Sequence, residues 1–372
     1  AYQIGGTAPA ICTTGTQINA GLTQNYSITG LTPLTQYSFR ICAYNGTPTY
    51  TAGATANATT QATASTGVVN AEGSWIAGVS HSAEGAANTN RILIFATGHE
   101  HWDTTDLTAV SYGGRAMTQL LERQVGNSWD AARTELWYLK ESDIQGANSG
   151  TFILTYSNGV PSTPLYSSAF FSNVDQTTPF PSSSSTDDAS AALTTVSTNI
   201  TRTKGGMSIA CASSGNSGTF TANNSWVLGS TTTLGSMAFG VSRISSATSG
   251  TDSASFSLTG SNRMVVLAAH LGIAPPPNPI SFTATSGSDT SIDLAWTKSG
   301  GTASGTRIAY QSGGTAPPSC TLGTQIDAST ASSYTITGLT ANTQYGFRIC
   351  AYNTATAYSS GQTASITTLT TP

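Results

Sequence analysis

A long internal repeat constrains the fold of this chain more than any other feature of its sequence. Residues 1–64 align without a gap with residues 309–372, and more than half of the aligned residues are identical. The offset is constant, and Cys320 minus Cys12 gives its value of 308. The chain therefore carries two copies of one module, separated by a segment of a different kind.

The two copies differ in what precedes them. Residues 279–308 lead into the second copy, and they read as two β-strands and the start of a third, because Ile292, Leu294 and Trp296 alternate with polar residues. The first copy has no such lead-in, so we expect it to expose an apolar inner face and an unpaired strand edge. Two sources for the absent strands stay open, residues upstream or another chain.

The complete copy, residues 278–372, contains a tyrosine motif in the run Gly338 to Tyr345, with Trp296 on its second expected strand. In these residues it resembles a fibronectin type III domain. The resemblance implies a β-sandwich in which the tyrosine ring packs in the core and its hydroxyl bonds back to the backbone. The same motif at Gly30 to Tyr37 makes residues 1–64 a partial domain of this kind. The fold hosts many roles, so the resemblance says little about function.

Four of the five cysteines are duplicated with the module. Cys12 and Cys42, like Cys320 and Cys350, lie 30 residues apart, which predicts one disulfide in each copy. A four-cysteine metal site would need the Cys-x-x-Cys spacing that is absent here. Disulfides indicate an oxidising, extracellular setting. The fifth cysteine, Cys211, lies between apolar residues and is predicted to be a buried small hydrophobe, with an intermolecular disulfide as the alternative.

Residues 65–274 form the different central segment. Its short apolar stretches are bounded by Gly, Ser, Asn and Asp, which predicts one antiparallel sandwich of two sheets with a jelly-roll-like fold. The serine-rich residues 182–188 are predicted to be an exposed loop. The expected strands are 74–80, 91–98, 107–114, 135–141, 150–157, 166–173, 207–213, 237–245 and 263–272.

The central segment also resembles a repeat of large bacterial cell-surface proteins, in which it occurs beside fibronectin type III modules. The matching residues are Arg91–Phe95, Val110–Gly114, Glu135–Leu139 and Phe171–Pro179. The resemblance implies a cell-surface setting and no established chemistry. The predicted fold is therefore all-β, with fibronectin type III β-sandwiches at 1–64 (partial) and 278–372 flanking a larger jelly-roll-like antiparallel β-sandwich at 65–274.

The charge content argues against several partners. Only 8% of residues are charged and the formal net charge is −4. Nucleic acid is excluded as a partner, because phosphate binding needs clustered basic residues. No apolar stretch approaches the ~20 residues of a membrane span, so no direct membrane insertion is expected. Low charge leaves a weak electrostatic barrier to packing against other copies.

One short segment contains the best candidates for metal binding. Two imidazoles and nearby carboxylates favour a transition metal, whereas a solvated loop with local hydrogen bonds is the simpler interpretation. The candidate ligands are His99, His101, Asp103 and Asp106. Calcium is a second prediction, although no Asp-x-Asp-x-Asp-Gly loop is present. Its candidate ligands are Asp103, Asp106, Asp130, Asp187 and Asp188.

Other residues suggest glycan contacts rather than catalysis. Trp102 and Trp129 lie in loop-like contexts where they could stack on a sugar ring, although packing within the protein is the simpler interpretation. Asn-x-Ser/Thr sequons, which allow N-glycans, occur at Asn25, Asn45, Asn57, Asn199 and Asn223. No nucleophile elbow, zinc-protease helix or phosphate loop is present. His81 and His270 are isolated and read as structural, so no catalytic residue is predicted.

These features favour a non-enzymatic structural segment of an extracellular fibre, sheath or stalk that assembles with other copies. An array alternating the sandwich and the module, stiffened by Pro275–Pro277, would form such a stalk. The first alternative is an adhesin or lectin-like module that binds glycans or surfaces, with calcium as its cofactor. The second alternative is an accessory, non-catalytic segment of a secreted polysaccharide-degrading enzyme.

Overall fold

The structure is a computed structural model, and it describes residues 1–372 apart from 22–25, 27, 29–30, 32–34, 46–48, 60–66, 101–105, 127–131, 162, 189–192, 300–302, 354–356 and 372. The chain forms two compact units, Ala1–Ala64 and Ser65–Pro372. Almost every described element is a β-strand, so the all-β prediction is confirmed. The short helix α1 is Glu141–Gln145, and no described helix has the length and apolarity needed to cross a bilayer.

The strands fall into four groups along the chain. The first unit contains β1 (Tyr2–Ile4), β2 (Gln36–Ile41) and β3 (Ala54–Thr59). The first half of the central region contains β4 (Asn70–Ala71), β5 (Ile76–Ala77), β6 (Ile92–Glu100), β7 (Leu107–Tyr112), β8 (Arg115–Ala116), β9 (Thr118–Val125), β10 (Ala132–Lys140), β11 (Phe152–Tyr156) and β12 (Leu165–Ser172). Its second half contains β13 (Ser182–Asp188), β14 (Thr195–Arg202), β15 (Met207–Ser214), β16 (Phe220–Ala222), β17 (Val227–Leu234), β18 (Met237–Ser245), β19 (Gly250–Leu258) and β20 (Met264–Leu271). The C-terminal module contains β21 (Ile280–Ser286), β22 (Ser291–Thr297), β23 (Gly305–Ser312), β24 (Thr324–Ser329), β25 (Ser333–Thr337), β26 (Gln344–Tyr352) and β27 (Gln362–Thr367).

The central region stacks four sheets, whereas the sequence predicted a sandwich of two. A six-stranded sheet containing β6, β10 and β12 faces a five-stranded sheet containing β15, β18 and β20. Ile92 and Ile94 on one side and Ile209 and Leu267 on the other belong to the main core between them. A three-stranded sheet packs on the outer face of each large sheet, and a separate apolar core lies between the two sheets of each such pair. Both large sheets are thus buried on both faces.

The larger sheets of the two halves of the central region share one strand order. When the strands of the second half are numbered 1 to 8, its larger sheet reads 1-8-3-6-5 and its smaller sheet reads 2-7-4. The larger sheet of the first half has the corresponding order β4-β12-β6-β10-β9, and its smaller sheet reads β11-β7-β8. Two sandwiches therefore pack face to face, whereas the sequence predicted one jelly-roll-like sandwich.

One predicted loop is a strand. Residues 182–188 form β13, which pairs antiparallel with β20 from Ser182 opposite His270 to Asp188 opposite Met264. The serine content predicted a loop, yet short polar side chains suit a strand at the edge of a sheet when its backbone can pair with a buried neighbour.

The C-terminal module is a sandwich of a three-stranded sheet, β21-β22-β25, and a four-stranded sheet, β24-β23-β26-β27. Its core includes Leu294, Trp296 and Phe347, all buried. The backbone N–H of Thr340 donates to the hydroxyl of Tyr345 at 3.1 Å. The tyrosine therefore bonds back to the backbone as its motif implied.

The C-terminal module is pinned to the central sandwich. Asn353 is buried; its side-chain amide donates to the carbonyl of Ala274 at 3.5 Å and its side-chain oxygen accepts from the N–H of Ala357 at 3.0 Å. Ala357 in turn packs against the main core of the sandwich. On the other side of the three prolines, Asn278 accepts from the N–H of Gly361 at 2.6 Å. The joint between the central region and the C-terminal module, at Pro275–Pro277, is therefore held by hydrogen bonds on both sides.

Candidate functional site

The internal repeat allows equivalent residues to be compared in two settings. Strand β2 of the first unit and strand β26 of the C-terminal module have nearly the same sequence, QYSFRI and QYGFRI. Alternate residues of β26, including Phe347 and Ile349, point into the core of the C-terminal module. Their counterparts on β2 are Phe39 and Ile41. Any difference in burial between these pairs reports a difference in what covers the strand.

The apolar face of β2 is open, whereas that of β26 is covered. Ile41 is 76% exposed and Ile349 is 0% exposed. Phe39 is partly exposed, whereas Phe347 is fully buried. The residues that share a core with Ile349 include Ile292, Leu294 and Trp296 of β22. Residues 1–64 contain no counterpart of that strand.

The edge of the same strand is also open. In the C-terminal module, Gly305–Ile308 pair with Ile349–Tyr352. In the first unit, β1 pairs with β2 as far as Tyr2 opposite Phe39, and Ala1 extends the pairing to Arg40 with backbone hydrogen bonds of 2.9 and 3.0 Å. Among the described residues, no strand continues this pairing along Ile41–Tyr44. We call the exposed side chains of Phe39 and Ile41, together with this edge, the open face.

Both predicted disulfides are present in the structure. Cys12 pairs with Cys42 at a Cα–Cα distance of 6.2 Å, and Cys320 pairs with Cys350 at 6.1 Å. Cys42 lies on the open edge itself, so its bond ties that edge to the first unit. Cys211 is fully buried in the main core and burial raises the pKa of its thiol. Its predicted role as a small hydrophobe agrees with this environment.

The predicted transition-metal ligands are only partly described. His99 is buried on β6, with its ring edge-on to Tyr156 at a centroid distance of 5.9 Å. Asp106 forms an ion pair with Arg133. His101 and Asp103 lie outside the described residues. Within the described ranges, no three His, Cys, Asp or Glu side chains gather as a metal site, and the metal stays a prediction.

The predicted calcium ligands and sugar-stacking tryptophans are also only partly described. Asp187 forms an ion pair with Arg123, and Asp188 lies on β13. Asp130, Trp102 and Trp129 lie outside the described residues, so calcium binding and sugar stacking also stay predictions.

The sequons differ in how accessible they are. Asn45, Asn57 and Asn199 are exposed, and Asn25 lies outside the described residues. Asn223 is partly buried, and its side-chain nitrogen donates to the hydroxyls of Ser255 at 3.1 Å and Ser257 at 2.9 Å. Because glycosylation modifies that same nitrogen, Asn223 is the least suited of the four described sites.

Sequence reasoning missed a buried charge cluster on β10. The guanidinium of Arg133 forms ion pairs with Asp106, Glu122 and Glu135. Arg133 and Glu135 are two residues apart, so they lie on one face of the strand. This spacing of two residues is the feature of the sequence that could have indicated the cluster. One buried arginine pairs with all three carboxylates, an arrangement typical of a structural network.

A second buried network surrounds His270. Its Nδ1 lies 3.0 Å from the hydroxyl of Ser208, which donates to Asp252 at 2.8 Å. The backbone N–H of Thr203 donates to Nε2 at 3.0 Å. Burial lowers the pKa of His270 to about 4. Ser208 is itself fully buried, so this serine, histidine and aspartate hold strands together and present no nucleophile to solvent.

The sandwich of three and four strands, with its tyrosine bonded back to the backbone, decides the family of the C-terminal module. Residues 275–367 match the fibronectin type III domain family. Domains of this family are structural or binding modules of an extracellular type and, like most all-β folds of this kind, are typically non-catalytic. The two disulfides fit the same setting.

Solved structures similar to this fibronectin type III domain are known. A computer-redesigned β-sandwich protein is 23% identical over 25% of this chain and 96% of its own, with a TM-score of 0.22. An FN3 domain of human collagen XX is 19% identical over 26% of this chain and 100% of its own, with a TM-score of 0.21. The FN5 domain of Drosophila Lar is 21% identical over 25% and 97%, with a TM-score of 0.19. No curated protein matches the chain.

Proposed function

We propose that the protein is a non-catalytic structural segment of an extracellular fibre, sheath or stalk that assembles with other copies. One observation carries this proposal: the C-terminal module is fixed to the central region by the buried Asn353, whose side-chain amide donates to the carbonyl of Ala274 at 3.5 Å.

The rest of the molecule supports a mechanical role. The two sandwiches of the central region share the main core, and the joint at Asn353 fixes the C-terminal module to them. A pinned joint transmits force where a free linker would bend. The buried networks of Arg133 and His270 serve packing, so neither supports an enzymatic role.

Self-association of the full chain tests the proposal. Sedimentation over a range of concentrations, with electron microscopy of the same samples, should show elongated assemblies. Single copies at every concentration would reject the proposal.

A further inference from the structure

We propose that Tyr352 and Tyr358 of the C-terminal module are a site of oxidative cross-linking, at which hydrogen peroxide, used by a haem peroxidase, joins their rings into dityrosine. The inference goes beyond the proposed assembly, because the new bond forms within one chain. This chemistry needs two accessible phenols held side by side, with a group that accepts a proton from one of them. The C-terminal module provides each of these features.

The two rings are neighbours across a hairpin. Tyr352 and Tyr358 form an antiparallel bridge, and their ring centres lie 5.8 Å apart with 55° between the ring planes. Both residues are partly exposed, so an oxidant in solution can reach them. The guanidinium carbon of Arg307 lies 5.9 Å from the ring centre of Tyr352 and 5.3 Å from that of Tyr358. A cation at this distance attracts both rings and keeps them together.

Hydrogen bonds hold the hairpin that carries the two rings. The N–H of Ser359 donates to the carbonyl of Ala351 at 2.9 Å, and the N–H of Asn353 donates to the carbonyl of Ala357 at 3.2 Å. Asn353 is itself buried at the joint with the central region. Reacting groups that are held in place combine faster than groups that must first meet. The fixed hairpin therefore favours coupling between these two rings over coupling to another chain.

Asp327 is placed to take the proton of Tyr352. The hydroxyl of Tyr352 donates to the Asp327 carboxylate at 2.9 Å. Burial, and after it the hydrogen bond to Asp327, raises the pKa of Tyr352, so the ring is a neutral phenol at neutral pH. Taking an electron from a phenol beside the Arg307 cation is unfavourable unless the phenol proton also leaves, since two positive charges would otherwise lie close together. A carboxylate within hydrogen-bond distance can accept that proton.

The reaction balances with one hydrogen peroxide for each cross-link. Each phenol loses one electron and one proton; the proton of Tyr352 passes to Asp327 and that of Tyr358 to water. The two radicals join through the ring carbons next to their hydroxyls, and the hydrogens on those carbons then move to the oxygens and restore two phenols. One carbon–carbon bond forms, while the two electrons and two protons reduce the peroxide to two waters. The disulfide of the same module indicates an oxidising setting.

Peroxidase treatment of the full chain tests the site. Trypsin cleaves after Arg348, so reduction of the disulfide releases residues 349–372 as one peptide that contains both tyrosines. After treatment with hydrogen peroxide and a haem peroxidase, this peptide should show dityrosine fluorescence and should have lost two hydrogen atoms. The peptide 308–348 of the same digest is the internal control. Its Tyr334 is exposed and has no ring contact among the described residues, and the Tyr345 ring beside Tyr310 is buried, so its mass should not change.

Three variants separate the roles of the residues. Tyr352→Phe and Tyr358→Phe should each abolish the cross-link, because phenylalanine forms no phenoxyl radical. Asp327→Asn should slow cross-linking about tenfold, since an amide accepts the hydrogen bond but is too weak a base for the proton. The module tolerates asparagine there, because Asn19, the counterpart of Asp327, accepts from the hydroxyl of Tyr44 at 3.2 Å.

Three results would overturn the inference. One is an unchanged peptide 349–372 from a chain treated under conditions that oxidise free tyrosine. Another is a cross-link that joins this peptide to that of a second chain in place of the internal bond. Equal rates of cross-linking in the wild type and Asp327→Asn would overturn the assignment of Asp327 as the proton acceptor.

Discussion

Glu135 is a carboxyl group buried within the first half of the central region, and its titration can be worked out from its contacts. The side chain is fully buried. It accepts hydrogen bonds from the indole N–H of Trp137 at 2.9 Å and from Gln119 at 3.1 Å, and the Arg133 guanidinium lies 3.4 Å away. Burial raises the pKa of Glu135 to about 7, although the Arg133 charge and the Trp137 hydrogen bond act to lower it.

The raised pKa has a definite sign and size in stability. The group titrates near 4.5 when unfolded and near 7 when folded, which corresponds to about 3 kcal/mol. Because the folded pKa is the higher one, the contribution is fully present below the unfolded pKa and is lost as pH rises through 7. Ionised Glu135 thus makes the fold less stable in mildly alkaline solution.

Urea unfolding of the wild type and Glu135→Gln measures this effect. Between about pH 4.5 and about pH 8, the wild type should lose about 3 kcal/mol more than the variant does. Glutamine retains an oxygen that accepts from Trp137 and cannot titrate. Arg133→Met serves as a directional control, since removing that positive charge should raise the Glu135 pKa further. Equal pH dependence in wild type and Glu135→Gln, or a carboxyl NMR signal that titrates near 4.5, would refute the reasoning.

Three further results are expected. Replacing Cys320 and Cys350 with alanine should cost about 3.6 kcal/mol of unfolding free energy in urea, because the bond closes a loop of about 30 residues; an unchanged midpoint would count against this. Burial lowers the pKa of His270 from 6.5 to about 4, so neutral His270 should contribute stability above pH 6.5 that is lost as pH falls through 4. In the same urea assay, His270→Asn should reduce the loss of unfolding free energy between pH 6.5 and pH 4. The predicted calcium site should raise Tm when calcium is added and lose that rise with EGTA, and an unchanged Tm would contradict it.

The strands were predictable from the sequence, but the predicted number of sheets was wrong. The stretches at β6 and β20 are almost continuously apolar, with no polar residue at every second position. Such runs belong to strands that are buried on both faces. In a sandwich of only two sheets, each strand would have one solvent-facing side and would alternate apolar with polar residues. The continuous apolar runs therefore indicated additional sheets.

The candidate site was predictable only where the repeat supplied a comparison. The alignment indicated that the first copy lacks the lead-in to the second, and Ile41 is indeed exposed. The contacts of Arg307 with two tyrosines were not predictable, because residues 45 and 51 positions away in sequence meet only through strand register and a bridge between Tyr352 and Tyr358. Arg133 and His270 were missed for a similar reason, since their partners come from several strands.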